Sequence, residues 1–292
     1  MRVGVDFGGT RIKAGRVEAG RIVASEMVKT RAGGAPGEIL DQISELVGRL
    51  GQAPSHVGVA IPGEVDATGR CYRLPNVPGF EGVNVRAELE ARLGTRVAVE
   101  NDSTSAALGE LLFGHGRVYR SFLVATLGTG VGGGLVIGGA LRRGAHGFAA
   151  EIGHLTVDSS ANAGRCVCGQ RGCMEVYAGT RGLLSRYAEL GGEAEAPAEI
   201  AAHARAGDAA ALEVFAGMGR ALGRGLAQAQ KLLDLDALVF GGGVSASFEL
   251  IEPTLRDTLR ESVFGPPTAE VPLLVSELGD GAGVLGAAHL TG

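Results

Sequence analysis

Three of the chain's four cysteines, Cys166, Cys168 and Cys173, fall within eight residues, and His154 stands twelve residues before the first of them. Three thiolates and one imidazole complete a tetrahedral set for Zn²⁺ and leave no position for water. A closed site of this kind is structural, so the metal is expected to fold a loop and not to activate a nucleophile. Gly169 and Gly172 allow that loop its tight turns. A disulfide is the competing use of paired cysteines, but a C-x-C pair closes so short a loop that the bridge geometry is strained. The expected metal ligands are therefore His154, Cys166, Cys168 and Cys173. Two carboxylates bracket the loop. Glu151 and His154 are i and i+3, which share a face if helical. Glu175 lies two residues past the last cysteine, so a folded metal loop fixes its position. Acceptors gathered in this way suit a ligand with many hydroxyls, such as a sugar.

The 292 residues suggest one large or two medium domains, and 45% hydrophobic content is ample for a core. A net charge of −5 with no basic block offers nucleic acid no electrostatic footprint. No apolar run reaches membrane-spanning length. The N-terminal M-R-V-G-V-D enters a strand pattern directly, without a signal-peptide core. A cytoplasmic protein is expected, and clustered cysteines there favour metal over disulfide. Cys71 reads as an ordinary buried thiol. Glycine, at 50 residues, is far above its usual share without any collagen period. These glycines are expected in loops where backbone approaches something closely.

Residues 2–7 read as a strand, and 12–17 with 21–28 as a hairpin about Glu18-Ala19-Gly20. Residues 37–50 have helical apolar spacing. His56–Ile61 is a strand stopped by Pro62-Gly63, and a Pro- and Gly-rich loop runs to about Gly82. Asn84 is a candidate cap for a helix to Leu93, Val97–Val99 a short strand, and 103–112 a helix. The second half opens alike. Residues 121–127 form a strand, G-T-G-V-G-G-G turns into 135–137, and Gly138-Gly139 makes a hairpin. Helices cover about 176–233, including a long one over 210–231. A strand at 237–240, a helix, a strand at 271–275 and a helix from 281 complete the chain. This repetition of pattern suggests an internal duplication and two α/β lobes with a ligand cleft beyond strand ends.

Each of three glycine turns directly follows a strand. In Asp6-Phe7-Gly8-Gly9-Thr10, Gly8 and Gly9 present backbone N–H groups to phosphate, Thr10 adds a hydroxyl and Lys13 a charge. Asp6 would repel phosphate, so its partner is the Mg²⁺ that accompanies a nucleotide. The run Gly128–Gly134 formally fits G-x-G-x-x-G, but a β pattern follows it, so it is not a dinucleotide fingerprint. Gly241, Gly242 and Gly243 form the third turn, where a purine and ribose can lie on backbone. Phosphoryl transfer to a hydroxyl needs a carboxylate that accepts the proton. Asp102, at a strand end beside Glu100 and Asn101, is the candidate; the alternative is a plain helix N-cap.

These pieces resemble the ROK family of sugar kinases, within the actin/hexokinase superfamily. The match rests on V-D-F-G-G-T at 5–10, E-N-D at 100–102 with A-A-L-G-E at 106–110, G-T-G-V-G-G-G at 128–134, E-I-G-H at 151–154 and C-V-C-G-Q-R-G-C-M-E at 166–175. The resemblance implies a two-lobed, duplicated ribonuclease-H-like (actin-like ATPase) α/β fold with an interlobe cleft and a zinc loop. The expected lobes are 1–115 with 280–292, and 116–279. It implies ATP-dependent phosphorylation of a hexose at its 6-hydroxyl, with Mg²⁺ and a structural Zn²⁺. Residue by residue, it makes Asp102 the catalytic base and Asn101, Asp102, Glu151, His154 and Glu175 sugar ligands. One ring nitrogen of His154 then faces zinc and the other the sugar. Asp6, Gly8, Gly9, Thr10, Lys13, Thr129, Gly130 and the Gly241–Gly243 turn fall to the nucleotide. The L-P-N stretch, with Asn76, resembles the sugar-side loop of the family's glucokinases, which ranks glucose ahead of N-acetylmannosamine, N-acetylglucosamine and fructose. A homodimer or homotetramer is the family habit. The sequence departs from the family at Ser103-Thr104-Ser105, where A-N-A is common. A non-catalytic sugar sensor is the reading of another class. Family repressors carry a helix-turn-helix before the first strand, and Asp6 at the sixth position leaves no room for one.

Overall fold

Val3, Val5 and Phe7 are wholly buried in the first strand, which packs on both faces and so forms the middle of a sheet. A computed structural model describes residues 1–51, 53–75 and 77–291. In chain order the first half comprises β1 (Arg2–Phe7), β2 (Arg11–Glu18), β3 (Arg21–Lys29), α1 (Pro36–Arg49), β4 (His56–Ile61), β5 (Glu64–Val65), β6 (Cys71–Arg73), α2 (Val85–Leu93), β7 (Val97–Asn101) and α3 (Asp102–Phe113). The second comprises β8 (Phe122–Leu127), β9 (Val131–Ile137), β10 (Ala140–Arg142), α4 (Met174–Ala178), α5 (Thr180–Glu189), α6 (Pro197–Arg205), α7 (Ala209–Leu233), β11 (Ala237–Gly241), α8 (Phe248–Ser262), α9 (Pro266–Ala269), β12 (Leu273–Val275) and α10 (Ala282–Ala288).

The expected repetition takes the form of topology. One sheet has the order β3-β2-β1-β4-β7 and the other β10-β9-β8-β11-β12. In the first, β1, β4 and β7 are parallel and β2 and β3 antiparallel. In the second, β8, β11 and β12 are parallel and β9 and β10 form a hairpin. The same five-strand plan thus occurs twice.

The chain divides into two compact units, residues 1–120 with 134–149 and 276–292, and residues 121–133 with 150–275. The division expected from sequence kept 116–279 in one piece. Here 134–149 goes with the first unit, because Gly134 sits against α3: a Cβ there would lie 2.5 Å from both the Ser103 carbonyl oxygen and the Ala107 Cβ. In the first unit, α1 buries Ile39, Leu40, Ile43, Leu46 and Val47 against one face of the sheet. The last helix, α10, covers β1 and β4 with Val284, Ala287 and Ala288. Gly4 and Gly58 leave the room for it, since a Cβ on either would overlap the backbone of Val284 or Ala287. Glycine is therefore spent inside strands as well as in loops, which corrects the expectation from composition.

Two local readings also change. The loop after Gly63 contains the short β5–β6 hairpin, and Val131–Gly134, expected in a glycine turn, are the first residues of β9. Among the described residues, no helix is long and apolar enough to cross a membrane.

Candidate active site and metal cluster

In the first unit, the parallel register of β1, β4 and β7 aligns Asp6 with Ala60 and Ile61 with Asn101. Asp6, Gly63 and the Asn101-Asp102 pair therefore lie along one sheet edge, the carboxyl end, where ligands of such sheets bind. Asn101 caps α3: its Oδ1 accepts from the backbone N–H of Ser103 at 2.9 Å and of Thr104 at 3.0 Å. Its Nδ2 donates to the Gly63 carbonyl at 3.2 Å. The cap role weighed for Asp102 thus belongs to its neighbour. Asp102 is the first helical residue, and its Oδ1 accepts from Ser103 N at 2.7 Å and Ser103 Oγ at 3.1 Å. Burial pushes the Asp102 carboxyl above the ordinary carboxylate range, while the Ser103 hydrogen bonds pull it down.

Asp6 is pushed up to about 7, first by burial and then by the negative charges of Asp102 and Asp280, against the pull of Lys13. Lys13 is opposite Asp6 across the β1–β2 ladder and donates to the Asp280 carbonyl at 3.2 Å. The first unit therefore gathers Asp6, Lys13, Asp102 and Asp280. Sequence reasoning passed over Asp280; its signal was an Asp between two glycines just before the last helix. The first glycine turn is held from both sides. Gly8 N donates to Arg11 O at 2.8 Å, and Thr30 Oγ donates to Gly8 O at 2.7 Å, which leaves Thr10 exposed.

In the second unit, ligand atoms of His154, Cys166, Cys168 and Cys173 all lie within 4.8 Å of one another. The loop that gathers them is a compact knuckle. Gly169 N donates to Cys166 O at 3.0 Å, Cys166 N to Gln170 O at 2.8 Å, and Gly172 N to Gly164 O at 2.9 Å. Zn–S bonds near 2.3 Å in a tetrahedron set sulfur–sulfur edges of about 3.8 Å. Cys168 Sγ and Cys173 Sγ are 3.7 Å apart, and His154 Nδ1 is 3.5 Å from Cys166 Sγ, so the cluster fits such an ion. All four cysteines are free thiols. Burial pushes Cys173 up to about 12 and Cys166 in the same direction, so thiolates at these positions call for a cation. Cys71 is buried and likewise pushed up to about 12, an inert thiol as expected.

Glu151 precedes a single 3₁₀ turn, Ile152–His154, which His154 ends. His154 directs Nδ1 at the sulfur cluster and Nε2 at Glu151, whose Oε2 is 3.9 Å away. Glu175 is in the first turn of α4, two residues after Cys173. Its Oε2 accepts from Val131 N at 3.1 Å, which joins the metal loop to the glycine turn before β9. That turn is also pinned by Thr180, whose N and Oγ donate to the Gly128 carbonyl at 3.0 and 2.8 Å. The third turn begins where β11, parallel neighbour of β8, ends. Gly242 has φ +82°, and a Cβ there would crowd the Leu127 backbone, so only glycine fits. Thr129 and Gly130 thus share one strand-end edge of this unit with Gly241–Gly243, while Gly243 opens onto free space. Asn76 lies outside the described residues.

Two glycine-lined strand-end edges, a carboxylate cluster and a Cys/His cluster able to hold a metal ion define the class, a duplicated α/β fold shared with sugar kinases of known structure. The chain is similar to a crystal structure of a glucokinase from Streptomyces griseus in complex with glucose and AMPPNP, with a TM-score of 0.87 and 35% identity over 98% of this chain and 97% of that one. It is 35% identical to a glucokinase of Streptomyces coelicolor, over 99% of this chain and 97% of the relative. A glucokinase of Thermotoga maritima is 32% identical over 99% and 96%. The ROK family profile matches residues 2–292, and the chain belongs to the ROK family.

Proposed function

We propose that the protein is an ATP-dependent sugar kinase that transfers the γ-phosphoryl group to the 6-hydroxyl of glucose. The observation that carries this reading is Asp102. It is a carboxylate freed from capping by Asn101 and set at a sheet edge with Asp6, in a chain 35% identical along nearly its whole length to a glucokinase. Asp102 accepts the hydroxyl proton as the phosphoryl group transfers. Asn101, Asp102, Glu151, His154 and Glu175 are assigned to the sugar hydroxyls, and Asn76 to the same role. Gly8, Gly9, Thr10, Lys13, Thr129, Gly130 and Gly241–Gly243 hold the nucleotide. Asp6 is the residue for Mg²⁺. Its raised pKa, caused by burial and by Asp102 and Asp280, is the penalty that a divalent cation relieves. His154, Cys166, Cys168 and Cys173 hold a structural Zn²⁺ that fixes Glu175 and His154.

In this reading the enzyme works in the cytoplasm, where thiols stay reduced for the metal, as a homodimer or homotetramer. The test is ADP release from ATP and Mg²⁺ over a panel of hexoses, with the product identified. Glucose 6-phosphate with the highest kcat/KM is the expected result. Preference for an N-acetylhexosamine or fructose overturns the glucose assignment alone. ADP release with no sugar of the panel overturns the kinase reading in favour of a sugar sensor.

A further inference from the structure

We propose that Arg143 is a positioning residue for phosphoryl transfer, acting through the buried Glu100 carboxylate on Asn101 and the start of α3. The inference rests on the kinase reading of Asp102. Glu100 is 6% exposed, and both of its oxygens are committed. Oε1 accepts from Asn101 N at 3.0 Å, and Oε2 accepts from Arg143 Nε. Arg143 follows β10 in the loop 143–149, closed by Ala149 N donating to the Arg143 carbonyl at 3.0 Å. Its side chain is 43% exposed, so an arginine that reaches solvent neutralises a carboxylate that does not.

The chain of contacts runs on without a gap. Glu100 fixes the Asn101 amide. The Asn101 side chain fixes the first turn of α3 through Ser103 N and Thr104 N, and ties it to the turn after β4 through the Gly63 carbonyl. Asp102 is the next residue. A one-residue rotation at Asn101 would therefore re-aim the base. Charge works in the same direction. Glu100 stands two positions from Asp102 in a part of the first unit that already holds Asp6 and Asp280. Without the guanidinium, Oε2 of the buried Glu100 carboxylate loses its partner, and a side chain that turns toward water to replace it releases the Asn101 amide. The glycine turns that receive ATP in the kinase reading share none of these hydrogen bonds. The effect therefore falls on the chemical step.

Arg143→Met is the test, with ATP and glucose turnover read as kcat and KM beside thermal melting. The expected result is a kcat at least tenfold lower, a KM for ATP within twofold of the parent, and a melting temperature that is lowered but stays above the assay temperature. Arg143→Lys, which returns the cation, should bring kcat back to within about threefold of the parent. A kcat for Arg143→Met within twofold of the parent overturns the inference. So does a loss that a matching rise in the KM for ATP accounts for, or one that lysine leaves unrepaired. Should Arg143→Met melt below the assay temperature, Glu100→Gln is read in its place. It gives up the charge pairing with Arg143, so the side chain is no longer held with its oxygen toward Asn101 N; a fivefold or greater fall in kcat supports the inference and an unchanged kcat overturns it. A parent protein with no hexose-dependent ADP release removes the kinase reading and this inference together. An active parent with a normal Arg143→Met removes this inference alone.

Discussion

Asp102 and Asn101 show how one residue's role depends on its neighbour's. Both are good helix caps in sequence, and in the fold the cap is Asn101. The consequence for Asp102→Asn is direct. The amide cannot take a proton, so kcat should fall by about a hundredfold to ten-thousandfold, while the KM for ATP changes little. The cap is untouched, so the melting temperature should stay close to that of the parent. Turnover within a few-fold of the parent would sink the assignment. Asp6 yields a second prediction, in stability. Its folded pKa, about 7, lies above its ordinary 3.8. Below the ordinary value the carboxyl is protonated in both states and costs nothing. As pH rises toward the folded value the unfolded state ionises first, and stability is lost at about 1.4 kcal/mol per pH unit until the folded value is passed. Asp6→Asn removes that loss. In a chelator, the variant should melt near the parent at pH 4 and well above it at pH 8. Equal melting temperatures at pH 8 would show that Asp6 carries no such penalty.

At the scale of elements, the metal loop and the strand-end turns differ in how far sequence discloses them. The clustering of His154, Cys166, Cys168 and Cys173 was legible because cysteine spacing is chemistry in itself: three thiols and an imidazole in such spacing have few other uses. The long helix α7 was legible from its apolar period, and the hairpin about Ala19 and Gly20 from its turn residues. The β5–β6 hairpin was not, because strands of two and three residues have too few positions to show alternation. The tie from Glu175 to Val131 N was not either, since it joins segments 44 residues apart. That tie sharpens the prediction for the metal. Cys173→Ser should lower zinc below one ion per chain in metal analysis, lower the melting temperature, and raise the KM for glucose, because Glu175 follows Cys173 at the start of α4. Retention of a full zinc equivalent by the variant would refute the ligand assignment. Gly242→Ala tests the third turn. Its positive φ and the Leu127 backbone leave no seat for a Cβ, so a loss of about 1–3 kcal/mol in stability is expected, together with a raised KM for ATP.

At the scale of the whole chain, the two five-stranded sheets repeat one plan, but their helices are supplied differently. The first unit takes its last helix from the far end of the sequence. Residues 276–292 belong with residues 1–120, and α10 lies on β1, β4 and α3. This crossing of sequence was foreseen as a helix returning to the first lobe, yet the reason that it fits became visible only in three dimensions. The helix approaches so closely that Gly4 and Gly58 on the strands, Gly109 on α3 and Gly286 on α10 itself all face backbone at a distance no side chain permits. A surplus of glycine in the composition is in part the mark of this packing. Gly286→Ala should therefore be costly. A Cβ there overlaps the Ser105 carbonyl, inside the helix that Asp102 begins, and neither backbone can yield cheaply. Overpacking of this kind costs about 1–3 kcal/mol, a fall of roughly 2–12 °C in melting temperature for units of this size. Turnover should fall as well, since any outward shift of α10 loosens α3. Gly48→Ala is the matched control. Gly48 lies in α1 with no atom within 4 Å of a Cβ built there, so alanine should be neutral or slightly stabilising through helix propensity. If Gly286→Ala melts with Gly48→Ala and the parent, the close seating of α10 is not what holds the first unit together.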